Sequence, residues 1–582
     1  MLQSMCRWCE PSLIADRLTS ALSIPARRDF SASADAANSG GPKATPSVAD
    51  VIFNGGTIRT MAGHDQIEAL AIAGGRILAT GSAADIATLA GPKTETVDLQ
   101  GRTLLPGLID PHHHYTLAAV LGHALIDVGY SKFHTKADTL AHLKATAAKT
   151  EPGQWIAAGC YDNLLQGGDL SSTDLDTVST EHPIFVMDVN GHVGAANTLA
   201  FQKAGIGEDV GVLPGGGHFG RGPDGKREGT IYEQPALMRF LGIAVPPSTP
   251  QLIADAISAY AKTAAAAGNT TLHEPGTVKP EHIDSLAKLS NFLDVRLSAS
   301  FSTDAAEASK AFATIGPAAK ARRIAGSRLS LYGMKMWADG SNQAEMAALS
   351  TPNQNITQQG KANYTPADLA GLCQAAKDAG WPILIHCQGD AAVEEALNAI
   401  EAVYGAHPPT GINRLEHATM ARQDQIDRMK ALGVEPSFLP DFIHLYGAAY
   451  RDQIFGPQRA EFMAPFGAAA QAGVEFSLHS DAPAAGLPVN PLRHVQTAVT
   501  RRCAIDGSII GSDLRLTIDA AIKAVTASAA RHIGLADTLG TLERGKEADL
   551  TILEADPYTC DPEKIMNIPV SQTWVAGQKK FG

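Results

Sequence analysis

The 582-residue chain lacks a basic excess: 47 Lys and Arg stand against 60 Asp and Glu, a formal net charge of −13. A surface that binds nucleic acid needs cations to neutralise phosphates, so that class of partner is set aside. Long apolar runs are also missing, since nothing approaches the roughly 18–20 residues that span a bilayer, and no membrane partner is expected. Cysteine is sparse, with seven residues at positions 6, 9, 160, 373, 387, 503 and 560. An odd number without regular spacing excludes a disulfide framework. Cys6-x-x-Cys9 is the recognisable pair, and it has no second pair or nearby histidine to complete a zinc knuckle. What is present is ordinary for a soluble globular enzyme: 45% hydrophobic and 18% charged residues. A chain of this length calls for two or more cores, or one large barrel with additions.

Residues 1–48 read as a flexible leader, with 31–48 rich in Ala, Ser, Gly and Pro. Ala26-Arg27-Arg28-Asp29-Phe30 resembles a twin-arginine export signal, yet the following Ser31–Gly41 is polar and small where an apolar stretch is needed. A cytoplasmic protein is therefore expected, with periplasmic export by the twin-arginine route as the alternative.

From Ala49 to Gly81 short apolar runs alternate with turn residues, and Asn54-Gly55 and Gly74-Gly75 are hairpin signals. A similar β-rich stretch, Leu542–Leu553 followed by VSQTWVAGQKK, closes the chain. The two are expected to form one composite β-sandwich from residues 49–104 and 536–582. Between them, buried-type strands alternate with helical stretches, the pattern of a parallel sheet covered on its outer faces. The expected strands are Thr103–Ile109, Thr270–His273, Arg296–Phe301, Leu331–Trp337, Pro382–His386, Arg414–His417, Val434–Phe438 and Val474–His479. Helices are expected over Pro250–Ala267, Pro366–Asp378, Ala391–Tyr404, Gln423–Leu432 and Thr517–His532. Eight such units fit a closed (β/α)8 TIM barrel over residues 105–535. The interval 115–269 exceeds one unit and is expected to be an insertion over the barrel mouth.

The first strand runs into Asp110-Pro111-His112-His113-His114, where His112 and His114 share a face of an extended segment and can close on one ion. Lys335 sits inside the apolar fourth strand, where an ammonium ion is expensive to bury. Either it pairs with Asp339, or it is a neutral amine that captures CO2 as a carbamate able to bridge two metal ions. His386 ends the fifth strand, His417 the sixth, and Asp481 follows the eighth. Metal-type donors at these strand ends converge on one mouth in a barrel of this kind. His192 in the insertion and His444 after the seventh strand are candidate substrate contacts, and Trp155 and Tyr161 are candidate pocket linings. His479 and His273, with Asp339, are candidates to orient the ligands.

PGLIDPHHH, the embedded Lys335, His386, His417, HSDAP and GTLERGKEADLTIL together resemble the amidohydrolase superfamily, and within it the YtcJ-like hydrolases of the amidohydrolase 3 group. The likeness runs from about Ala49 to the C-terminus and includes Asp188-x-x-Gly191-His192 with Asn197, Gly229–Glu233 and Lys335-x-x-x-Asp339-Gly340. It implies one metal held by His112, His114 and Asp481, and a second held by His386 and His417, with carboxylated Lys335 as the bridge. Zinc is the first choice for such donors, one or two ions per chain, ahead of manganese, iron or cobalt. Asp481 is then the general base and acid for hydrolysis of a C–N bond in a small molecule: an N-acyl, N-formyl, carbamate-like or cyclic amide. A heterocycle deaminase with a single metal is the alternative within the fold, and a non-catalytic binding subunit is the alternative outside it. A homodimer is a habit of the family, and no sequence feature requires one.

Overall fold

The computed structural model describes residues 48–582 apart from 64–65, 192, 214–216, 233, 246–248, 279–282, 303–322, 344, 355–359 and 406–412. The Cys6–Cys9 pair, the Arg27-Arg28 signal, His192 and Glu233 therefore lie outside the described residues. Among the described residues no helix is long and apolar enough to cross a membrane.

Eight strands form a (β/α)8 barrel sheet in chain order: Leu108–Asp110, Asn269–Val278, Arg296–Ser302, Leu329–Trp337, Ile383–Cys387, Arg414–His417, Glu435–Phe438 and Ser477–Leu478. Every neighbouring pair in that order is parallel. The fourth to seventh strands are buried at every position, which is why they read as continuous rather than alternating apolar runs. The seam between the first and eighth strands closes just beyond their ends. There the Asp481 N–H donates to the His112 carbonyl at 3.0 Å, and the His114 N–H to the Ala482 carbonyl at 3.0 Å. Closure thus joins the two segments that carry the candidate ligands.

Helices start where cap residues announce them. Thr249 accepts from the Leu252 N–H at the head of Pro250–Ala266, and Thr365 from the Asp368 N–H at the head of Pro366–Asp378. The expected helix over Thr517–His532 is two, Ile518–Ala524 and Ala527–His532. The break frees the Val525 carbonyl to accept the Ile109 N–H of the first barrel strand at 2.9 Å.

The expected first strand, Thr103–Ile109, is also two. Thr103–Pro106 pairs antiparallel with Leu550–Leu553 in a five-stranded sheet, and the barrel strand begins at Leu108. Gly107 makes the transfer, where a Cβ would sit 2.2 Å from Thr270 Oγ1. The five-stranded sheet also holds Thr57–Ile58, Val570–Val575 and Gln578–Phe581. A four-stranded sheet of Val51–Asn54, Ala69–Ala73, Arg76–Gly81 and Glu95–Asp98 shares a core with it, including Phe53, Leu70, Leu104, Leu550 and Trp574. Both ends of the chain thus build one small sandwich. Gly74-Gly75 closes a hairpin as expected, whereas Asn54-Gly55 carries the chain from one sheet to the other.

The long interval after the first strand contains a six-stranded sheet of its own, with two apolar clusters. Asp188 and the following turn, Val189 to Gly191, bring this insertion over the barrel mouth, where they line a cavity.

Candidate metal centre

The cavity lies between the barrel mouth and the insertion. His112, His114, His386, His417 and Asp481 line its barrel side. His112 Nε2 lies 3.1 Å and His114 Nε2 3.4 Å from Asp481 Oδ1, so three donor atoms crowd around one point. Beside them the rings of His112 and His417 are 4.8 Å apart, and those of His386 and His417 4.7 Å apart. Lys335 is fully buried, with Nζ 3.4 Å from His112 Nε2. The structure therefore brings all six ligand candidates together.

The backbone turns sharply to present them. His417 has φ +68° and Asp481 φ +52°, in the left-handed region that residues bearing a Cβ seldom adopt. Room for Lys335 comes from Gly276 (φ +78°) on the second strand, where a Cβ would fall 2.8 Å from both Lys335 Cβ and Cγ.

Electrostatically the site is built for a cation. Burial holds His112 and His417 well below the ordinary imidazole range, with the Lys335 charge acting in the same direction on both. Neutral imidazoles offer lone pairs without a competing proton. Burial alone would lower His114 and raise Asp481, yet each overcomes it through the other. The Asp481 and Glu274 carboxylates push His114 up to about 10, and His112 and His114 hold Asp481 well below the usual carboxylate range. His417 Nδ1 and His386 Nε2 are buried without a hydrogen bond. Two imidazoles converging on an ionised carboxylate, His112 and His114 on Asp481, fit a divalent ion, and the buried nitrogens of His386 and His417 that lack hydrogen bonds fit a second.

Two buried carboxylates orient these rings, and neither was anticipated from the sequence. Glu416 accepts from His112 Nδ1 at 2.7 Å and is itself clamped by Arg414 Nε at 2.6 Å. Although burial would raise it, Arg414 and Lys335 bring the Glu416 carboxyl down to about 2. Glu274 lies 3.2 Å from His114 Nδ1 and takes the Thr116 N–H at 2.8 Å. The available signal was Arg414-x-Glu416 within a buried strand, a charge pair on one face that points into the barrel. Glu274→Gln is expected to weaken metal binding about 10- to 100-fold without unfolding the protein, read by competition with a chelator. Unchanged metal affinity would remove Glu274 from this role. Glu416 is a poorer test, because its removal strands the buried Arg414.

His479 stacks on His112 with ring centroids 4.6 Å apart and lies 5.0 Å from His417, and neither of its ring nitrogens has a hydrogen bond. His273 bonds Ser298 Oγ at 2.9 Å, and its backbone carbonyl takes the His113 N–H. Its ring is therefore one step removed from the ligands. Asp339 accepts three backbone N–H bonds, from Ala348, Gln388 and Gly389 at 2.8–3.0 Å, which commits it to the loop after the fourth strand rather than to Lys335. Burial still pushes its carboxyl up to about 7.

The expected pocket aromatics lie elsewhere. Trp155 packs against the apolar cluster of Phe185, Phe201 and Phe240 inside the insertion. Tyr161 is buried there too, with its hydroxyl on the Gly168 carbonyl at 2.8 Å. Both are explained by the insertion's own core, which has no counterpart in a minimal barrel. His444 is largely buried next to Asp441, away from the cavity wall.

Residues 95–579 match the profile described as the amidohydrolase family. The chain belongs to that family. It is 26% identical to the "Putative amidohydrolase YtcJ" of Bacillus subtilis over 90% of this chain and 98% of that one. It is 24% identical to the "N-substituted formamide deformylase" of Arthrobacter pascens over 91% of this chain and 98% of that one. Among solved structures, an uncharacterized metal-dependent hydrolase from Pyrococcus horikoshii superimposes with a TM-score of 0.68 at 22% identity, covering 88% of this chain and 99% of that one. The fold is thus shared with a metal-dependent hydrolase of known structure.

Proposed function

We propose that this amidohydrolase cleaves the C–N bond of a small amide-type substrate, at a centre where His112, His114, Asp481, His386, His417 and a carbamate on Lys335 would hold two divalent ions. The observation that carries the reading is the convergence of His112, His114, His386, His417 and Asp481 on one cavity roofed by the insertion, with Lys335 Nζ 3.4 Å from His112 Nε2. Zinc is the ion of choice for imidazole and carboxylate donors. When bound, the ions would supply Lewis-acid polarisation of the scissile carbonyl and a water acidified toward a pKa of about 7.

The chain's own groups supply the rest. Asp481, held ionised by its two histidine neighbours, accepts the proton of the attacking water and passes it to the leaving nitrogen. Glu416 and Glu274 accept hydrogen bonds from the Nδ1–H groups of His112 and His114, fixing the tautomers that would leave both Nε2 lone pairs free for a metal ion. The insertion contributes apolar wall at Met187 and Val189, which excludes water from the side opposite the metal donors.

The formamide relative makes an N-formyl substrate the first to try. Metal-loaded enzyme is expected to release an amine from at least one member of a panel of N-substituted formamides, N-acyl amino acids, carbamates and lactams. Chelation should abolish that activity and added Zn²⁺ restore it. Amine release from no member of the panel, or release indifferent to chelation, would count against the proposal.

A further inference from the structure

Beyond the metal ligands, a polar side chain on the barrel side of the cavity has its orientation fixed by a backbone donor. Gln388 lies two residues past His386, between the fifth strand and the helix Asp390–Tyr404, and it lines the cavity beside His386 and Asp481. Its Oε1 accepts the backbone N–H of Asn342 at 3.1 Å and the Asn342 side-chain amide at 2.5 Å. A backbone N–H can only donate, so the atom facing it must be the oxygen, and the usual ambiguity of an amide is removed. The Nε2 donors must then point away from Asn342.

The rest of the loop holds this arrangement rigid. The Gln388 N–H is bound to Asp339 Oδ1 at 2.9 Å, and the Gln388 carbonyl takes the Met420 N–H at 2.9 Å. Gly389 lets the Asn342 loop approach, because a Cβ there would fall 1.9 Å from the Ala348 carbonyl oxygen. The buried Asp339 carboxyl, with its three backbone donors, anchors both strands of the contact.

We infer that Gln388 Nε2 is a hydrogen-bond donor to the oxygen of the scissile carbonyl, and that its bond strengthens as that oxygen becomes a tetrahedral oxyanion. The inference rests on the hydrolytic reading of the site. A donor locked in place before substrate arrives costs no reorganisation during reaction, which is the condition for strong oxyanion stabilisation. Asp339 and Asn342 are positioning residues in this scheme, since they act through Gln388.

Two near-isosteric variants separate this role from its rivals. Gln388→Glu keeps the acceptor for Asn342 and loses the donor. Gln388→Met is uncharged and loses both. The metal-loaded proteins are assayed for amide hydrolysis and, independently, titrated calorimetrically with methylphosphonate, a tetrahedral oxyanion that needs no turnover. Both variants are expected to lose about 100- to 1,000-fold in kcat with KM nearly unchanged, and to bind methylphosphonate at least tenfold more weakly, with metal content and Tm retained. Wild-type affinity in Gln388→Glu would assign Gln388 a purely structural hold on Asn342 and overturn the inference. Wild-type affinity in Gln388→Met would leave only a charge effect and overturn it as well. If wild type hydrolyses none of the amides but the phosphonate titrations behave as expected, the C–N reading fails while the oxyanion donor stands.

Discussion

Asp481→Asn is expected to lower kcat by about three orders of magnitude while leaving the protein folded. The substitution keeps the size of the side chain and changes its charge and proton affinity. Asp481 Oδ1 is the atom on which His112 Nε2 and His114 Nε2 converge, at 3.1 and 3.4 Å. An amide there can neither neutralise a cation nor accept a proton from water. Metal occupancy of that set should fall in parallel, measured by elemental analysis of the purified variant. The fold should survive, because the residue's structural bond is made by its backbone, from its N–H to the His112 carbonyl. A kcat within tenfold of wild type would contradict the assignment of Asp481 as general base and acid.

The second large effect is expected at Lys335, where Lys335→Met should reduce the metal content from two ions per chain to one or fewer and cut activity at least 100-fold. Methionine fills nearly the same volume, so no cavity opens in the packed wall formed by Trp337 and Gly276. It cannot take up CO2. In wild type, metal uptake should rise when the protein is prepared with bicarbonate, and in the variant it should not. The physical ground is the placement of the amine, fully buried and 3.4 Å from His112 Nε2. One ion per chain in both proteins, with or without bicarbonate, would instead support the single-metal deaminase alternative.

Much of this was legible in the sequence for a simple reason. A barrel strand buried on both faces must be apolar, so a lysine, a histidine or an aspartate at its end stands out. His112, His114, Lys335, His386, His417 and Asp481 were found in that way, and the structure places them together. Glu416 and Glu274 escaped because each sits next to a conspicuous histidine, and linear spacing does not say which ring a carboxylate will meet across the barrel. His112 and Glu416 are 304 residues apart along the chain. The split of Thr103–Ile109 was hidden for a related reason: both halves are apolar, and only the sheet each joins distinguishes them. Trp155 and Tyr161 fill the insertion's own core, and the sequence carries no signal that separates such a core residue from a pocket lining. Gln388 has no signal of its own, since its meaning depends on a hydrogen bond from the Asn342 backbone.

The central claim is a pair of ions on one constellation of side chains. Its most direct test is a crystal structure of protein loaded with Zn²⁺ and bicarbonate, with anomalous scattering recorded at the zinc edge. The account predicts two peaks roughly 3.5–4 Å apart, one against His112, His114 and Asp481 and the other against His386 and His417, with density extending the Lys335 amine between them. A single peak with an unmodified Lys335 side chain would contradict it.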